Sequence, residues 1–211
     1  MSAKGKGMDS QPPVKKIVFI GDSVTAAHRS FFIPNGLGYV RFIQSKLNVN
    51  WQVLNRGVNG DRLIDLETRW VKDVVKNSPN IVSINIGIND SWQIIGRRKL
   101  TSNLDFDEMF RSLMHVTHAS IATQVVLCEP FILPCNNQFQ EVQDDLKFKL
   151  AIIRALAVDL NLPLVEFDSE MVRLSEIYES KTLARDGIHP TKFGHIKMAE
   201  FWLTRVQDLF T

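Results

Sequence analysis

Lys16-Ile17-Val18-Phe19-Ile20-Gly21-Asp22-Ser23 is the stretch from which the rest of the chain can be read. Four apolar residues run directly into Gly-Asp-Ser. An uninterrupted apolar run of this length predicts a strand buried on both faces, as in a parallel sheet. On open parallel sheets, ligands and chemistry sit just beyond the carboxyl ends of the strands. Ser23 falls at that address, and Gly21 lets the backbone turn where a side chain would obstruct it. Ser23 is therefore a candidate nucleophile.

Outward from this stretch, strand-like and helix-like segments alternate. Strands are expected at Trp51 to Asn55, Ile81 to Ile86, Gln124 to Cys128 and Leu164 to Phe167. Between them, apolar residues recur at helical spacing: Tyr39, Phe42, Ile43 and Leu47; Leu63, Leu66, Trp70, Val74 and Val75; then the segments of about 106–122 and 142–160. A short helix near 171–178 and a last helix carrying Phe193, Ile196, Ala199, Trp202, Val206 and Leu209 follow. Five strands alternating with helices, with no repeat and no linker, predict an α/β fold: a three-layer α/β/α sandwich around a parallel sheet. The loops after the first three strands, and the loop entering the last helix, then share one sheet edge.

Composition bounds the function. The chain has 211 residues, 45% hydrophobic and 23% charged, enough for one domain with a full core. Residues 1–15 are Lys-, Gly-, Ser- and Pro-rich and read as a disordered tail without a secretory h-region; residues 16–211 read as a single domain. A net charge of +2 argues against nucleic acid as a partner. No apolar run approaches the roughly 18 to 20 residues that span a bilayer, so no stable membrane insertion is expected. Cys128 and Cys135 make no disulfide framework, and the absence of a signal favours a cytoplasmic location. The sequence leaves a homo-oligomer open.

A serine hydroxyl needs a base to take its proton, normally a histidine oriented by a carboxylate. Asp186 and His189 lie three residues apart on the loop Asp186-Gly187-Ile188-His189-Pro190. That spacing lets the carboxylate fold back onto Nδ1 of the histidine and leaves Nε2 free to face Ser23. Pro190 suits the first turn of the helix that follows. The negative oxygen of a tetrahedral intermediate needs hydrogen-bond donors. The Ser23 N–H, the Gly60 N–H and the Asn89 side-chain amide are available at the sheet edge, with Gly57 the alternative in the Gly60 loop.

Gly21-Asp22-Ser23, the Asn55 and Gly60 loop, Gly87-Ile88-Asn89-Asp90 and Asp186-Gly187-Ile188-His189-Pro190 resemble the four ordered blocks of the SGNH (GDSL-type) hydrolase family. They span nearly the whole chain after Lys16. Val24 departs from the leucine that gives that family its name. The resemblance implies a flavodoxin-like sandwich of about five parallel strands. It also implies Ser23 as nucleophile, His189 as base, Asp186 as its orienter, and Ser23, Gly60 and Asn89 as the oxyanion hole. It implies a small-molecule ester as substrate and no cofactor or metal. Families of this kind include carbohydrate deacetylases, lysophospholipases, thioesterases and arylesterases. A chain too short for a large lid favours small or exposed acyl groups. Acyl transfer to an alcohol and a non-catalytic anion-binding module are the alternatives.

Other residues carry two readings. Asp22 is a second acid or, in the simpler reading, a brace for the turn; Asp61 and Asp90 are expected to cap the elements that follow them. His28 and Trp92 are candidates for the substrate site. Phe31, Phe32, Phe131, Ile132 and Leu133 form either an apolar rim or loop packing. His115 and His118 share a helix face without a third ligand, and His195 reads as a packing or surface residue. Arg97, Arg98 and Lys99 are a solvated face or an attractor of anionic substrates.

Overall fold

The computed structural model describes residues 14–95, 102–135 and 139–210. The tail up to residue 13, the basic run at 97–99 and residues 136–138 lie outside these. Five strands form one parallel sheet: β1 (Lys15–Gly21), β2 (Trp51–Gly57), β3 (Ile81–Asn85), β4 (Gln124–Cys128) and β5 (Leu164–Val165), in the order β2-β1-β3-β4-β5. The helices are α1 (Ser23–Ala26), α2 (Tyr39–Gln44), α3 (Leu63–Asp73), α4 (Ile88–Trp92), α5 (Asn103–Ser120), α6 (Gln140–Asp159), α7 (Phe167–Ser175), α8 (Ser180–Leu183) and α9 (Lys192–Arg205). This is the α/β/α sandwich that the alternating pattern predicts.

The strands are apolar on both faces, and successive residues feed two separate cores. Ile17, Phe19, Val53 and Val126 point to one side, where Tyr39 and Ile43 of α2, Phe167 and Met171 of α7, and Met198 and Trp202 of α9 cover them. Val18, Ile20, Val82, Ile84 and Leu127 point to the other, under Leu66 and Trp70 of α3, Phe106 and Phe110 of α5, and Leu156 of α6. Fully burying one such side chain contributes about 1.5 to 3 kcal/mol, so these two layers hold the sheet in place. Each layer contains a buried tryptophan whose indole N–H is satisfied: Trp202 donates to Ser83 Oγ at 3.0 Å and Trp70 to Thr117 Oγ1 at 2.9 Å.

The register brings the ends of the first three strands level. Gly21 pairs with Gly57 of β2 and with Asn85 of β3. The loops that follow therefore leave the sheet side by side. Glycine at 21 is required for a different reason from the one expected. Its φ is not positive; a Cβ there would sit 2.0 Å from the Asn85 carbonyl oxygen. Close approach of two backbones, rather than a sharp turn, excludes a side chain.

Several boundaries differ from expectation. Ser23 opens a single helical turn where a loop is expected, and Asn89 lies within α4 rather than on a loop. Lys15, placed in the tail by composition, already pairs with Trp51. The fifth strand is only two residues long, because Phe167 turns into α7. Pro190 does not occupy the first turn of α9. It pairs with Ala184 in an isolated antiparallel bridge, and Thr191 caps the helix by accepting from the Gly194 N–H at 3.2 Å.

Candidate active site

Ser23 is presented by the junction of β1 and α1. Asp22 caps this turn, its Oδ1 accepting the Val24 N–H at 2.9 Å. The turn ends in two residues with left-handed backbone, Ala27 at φ 39° and His28 at φ 63°. Such conformations cost about 1 to 3 kcal/mol each away from glycine and persist only where surrounding structure enforces them. Asn55, buried at the end of β2, supplies part of that structure: its side-chain amide donates to the Thr25 carbonyl at 2.7 Å and its Oδ1 accepts the Gly57 N–H at 2.8 Å.

His189 arrives from the far end of the chain. The loop that carries it is closed by the Ala184–Pro190 bridge and is tied to the segment after β4, where the Leu133 N–H donates to the Gly187 carbonyl at 2.8 Å. The Asp186 carboxylate holds the loop from within. Its Oδ1 accepts the backbone N–H groups of Ile188 at 3.0 Å and His189 at 2.8 Å, and its Oδ2 lies 2.6 Å from His189 Nδ1. His189 Nε2 lies 2.9 Å from Ser23 Oγ. The side chains of His189 and Asp186 keep 56% and 52% of their surface open to solvent, so water reaches the group freely. Partial burial acts to raise the Asp186 pKa. The hydrogen bonds from the His189 ring and the two backbone N–H groups outweigh it and hold the carboxyl below its ordinary value.

Beside Ser23, Gly60 has φ 83° and open space where a Cβ would stand. Neither the Ser23 N–H nor the Gly60 N–H donates to any partner among the described residues. The Gly57 N–H is committed to Asn55, and a Cβ at Gly57 would strike the Ala26 backbone nitrogen at 2.3 Å. Asn89 donates one amide hydrogen to the Asp61 carbonyl at 2.9 Å, which fixes the side chain and leaves the second hydrogen available.

A cleft of about 460 Å³ opens above Ser23 and His189, lined also by His28, Leu37, Asn59, Lys192 and His195. Trp92 is not among the lining residues; it packs against Phe139 with ring centroids 4.9 Å apart. Phe131, Ile132 and Leu133 are core residues rather than a rim, while Phe31 and Phe32 stand 92% and 89% exposed. His195 packs, with its Nδ1 accepting the Tyr39 N–H at 3.2 Å. Burial, with smaller contributions from His28 and His189, pulls its pKa down to about 4, so it stays neutral beside the cleft. His115 and His118 are exposed on α5.

The buried carboxylates beneath the site behave unequally. Asp22 is fully buried and its Oδ2 has no hydrogen-bond partner among the described residues; burial pushes its pKa up to about 7, against the pull of the Val24 N–H and His189. Asp90 does not cap the helix that follows it. It receives the Leu63 N–H at the start of α3, and burial raises its pKa to about 6. Asp61 pairs with Arg69 at 2.6 Å instead of capping a helix.

Arg69 is the residue that motif reading misses. From the polar face of α3 its guanidinium reaches the carbonyls of Gly21 at 3.2 Å and Arg56 at 2.8 Å, together with Asp61 and Asp73. It clamps the ends of β1 and β2. Nothing in the local sequence distinguishes it from a solvated helix arginine. Asn59 and Lys192 likewise carry no motif.

Known proteins resemble this chain over most of its length. The sequence profile of the GDSL-like lipase/acylhydrolase family matches residues 19–196. An acetylxylan esterase from Geobacillus stearothermophilus is 27% identical over 207 residues, covering 91% of this chain and 94% of that protein. Its crystal structure superposes with a TM-score of 0.83 at 26% identity, over 92% of this chain and 94% of that one. A protein from Parabacteroides merdae described as a GDSL-like lipase superposes with a TM-score of 0.87 at 26% identity, over 94% of this chain and 98% of its own. No described helix is long and apolar enough to cross a membrane. With a five-stranded parallel sheet of this order and a family match over most of its length, the chain belongs to the GDSL-like lipase/acylhydrolase family and is a carboxylic ester hydrolase.

Proposed function

We propose that the protein removes small acyl groups, acetyl above all, from hydroxyl groups of carbohydrate-like alcohols, through an acyl-enzyme on Ser23. The observation that carries the reading is the continuous chain from Ser23 Oγ to His189 Nε2 at 2.9 Å and from His189 Nδ1 to Asp186 Oδ2 at 2.6 Å.

His189 takes the Ser23 proton as Oγ attacks the ester carbonyl carbon. Asp186 keeps the Nδ1 tautomer in place and stabilises the imidazolium. The oxyanion is received by the Ser23 N–H, the Gly60 N–H and the free amide hydrogen of Asn89. Collapse expels the alcohol, which takes its proton from His189 Nε2. Water, deprotonated by His189, then attacks the acyl-enzyme and releases the acid. The open exposure of His189 and Asp186 favours water over a bound alcohol as acceptor, and hence hydrolysis over acyl transfer. The acetylxylan esterase resemblance supports acetyl on a sugar hydroxyl as the ester. The test is turnover of 4-nitrophenyl acetate and of an acetylated xyloside by wild type and Ser23→Ala. Loss of both activities in a variant with an unchanged circular dichroism spectrum is expected; a Ser23→Ala protein as active as wild type overturns the assignment.

A further inference from the structure

His189 stands between two clefts. One, of about 460 Å³, contains Ser23; the other, of about 480 Å³, runs along Arg185, Asp186, Thr191 and Lys192. His189, Pro190 and Lys192 line both. The charges along them are one-sided. Asp186 is the one carboxylate among the lining residues, and it is held by His189 and two backbone N–H groups. Arg185 and Lys192 are exposed, and among the described residues neither is in an ion pair. Two unpaired cations therefore flank the histidine at the mouth of the site.

Which half of an ester meets them follows from the chemistry. The departing alcohol receives its proton from His189 Nε2, so its oxygen must lie within hydrogen-bond reach of that atom. The rest of the alcohol then extends over the residues that flank His189. The proposed oxyanion donors belong to other elements: Gly60 to the loop after β2 and Asn89 to α4, which follows β3. Lys192 and Arg185 thus face the leaving group and not the acyl group.

Building on the hydrolase reading above, we infer that the site selects esters whose alcohol portion carries an anionic group, a carboxylate or a phosphate, held by Lys192 with Arg185. The ammonium of Lys192 acts as a point charge on a flexible stem and does not demand one planar geometry. Both anions suit it. Cations unmatched by carboxylates at a cleft also raise the local concentration of an anionic substrate.

The experiment compares kcat/KM for three acetate esters: an acetylated methyl glucoside, the corresponding acetylated methyl glucuronoside, and acetylated glucose 6-phosphate. At low ionic strength wild type should favour an anionic ester over the neutral one by about fivefold, the size of one unit-charge attraction across about 4 Å of water. Lys192→Ala should bring that ratio near one, Lys192→Glu should push it below one, and Lys192→Arg should keep it. Raising salt to about 0.5 M should compress the wild-type ratio, since exposed charges are then screened within a few ångströms. A preference confined to the glucuronoside assigns a carboxylate, and one confined to the phosphate ester assigns a phosphate. A wild-type ratio of one, or a ratio that Lys192→Glu leaves unmoved, overturns anion selection. Hydrolysis of the neutral glucoside ester that vanishes in Ser23→Ala reads the hydrolase assignment separately. Absence of all acetate hydrolysis overturns both.

Discussion

The guanidinium of Arg69 donates to the carbonyl of Gly21 at 3.2 Å, so a helix on one face of the sheet holds the strand end that delivers Ser23. The same group takes Asp61, whose own carbonyl receives the Asn89 amide. Two parts of the candidate site, the nucleophile turn and the proposed oxyanion amide, are thereby joined through one side chain that touches neither substrate nor reacting atoms.

Arg69 is only 16% exposed, and its removal strands Asp61, Asp73 and the Gly21 and Arg56 carbonyls. Breaking one partner of such a pair costs about 3 to 5 kcal/mol when fully buried, and about 2 to 4 kcal/mol is expected here in Arg69→Ala from urea denaturation. Arg69→Lys keeps one charge but loses the fork that serves four acceptors, and should recover less than half. A wild-type midpoint in Arg69→Ala would show that the clamp is idle.

Asn89→Ala should lower kcat on 4-nitrophenyl acetate by about 10² to 10³, with a smaller change in KM, because the donor acts on charge that develops in the transition state. Asn89→Asp keeps the bulk but removes both amide donors, the one to the Asp61 carbonyl included, and kcat should fall at least as far. Unchanged kcat in both would remove Asn89 from the oxyanion hole.

Asp22 gives a pH signature. Its carboxyl is raised from 3.8 to about 7 by burial, so the folded protein keeps a proton there that the unfolded chain releases. Protons are bound in excess by the native state between these values, and stability contributed by this group falls as pH rises from about 4 to about 7, by up to about 4 kcal/mol. Asp22→Asn keeps the Oδ1 that caps α1 and cannot ionise. The difference in unfolding free energy between Asp22→Asn and wild type should therefore move in the variant's favour from pH 4.5 to pH 7.5. A difference independent of pH contradicts the assignment.

The parallel sheet and the grouping of Ser23, Asp186 and His189 were legible because both rest on local information. Unbroken apolar runs mark strands buried on two faces, and Asp-x-x-His closes on itself within one loop. Phe131, Ile132 and Leu133 were ambiguous for the opposite reason: an apolar run after a strand is the same string whether it rims a cleft or enters the core. Trp92 carried two readings for a similar reason: it follows Asn89 closely, yet one helical turn carries it onto Phe139. Arg69 and Asn59 were silent. Their significance lies in which carbonyls and which cleft the tertiary fold brings to them, and no spacing along the chain encodes that.

The most direct measurement of the central claim is reaction with a fluorophosphonate, followed by intact mass and peptide mapping. Oγ activated by His189 at 2.9 Å should displace fluoride once, leaving a single phosphonyl adduct on the peptide containing Ser23, and His189→Ala should slow labelling by at least about 10²-fold. No adduct, or an adduct on another residue, would contradict the account.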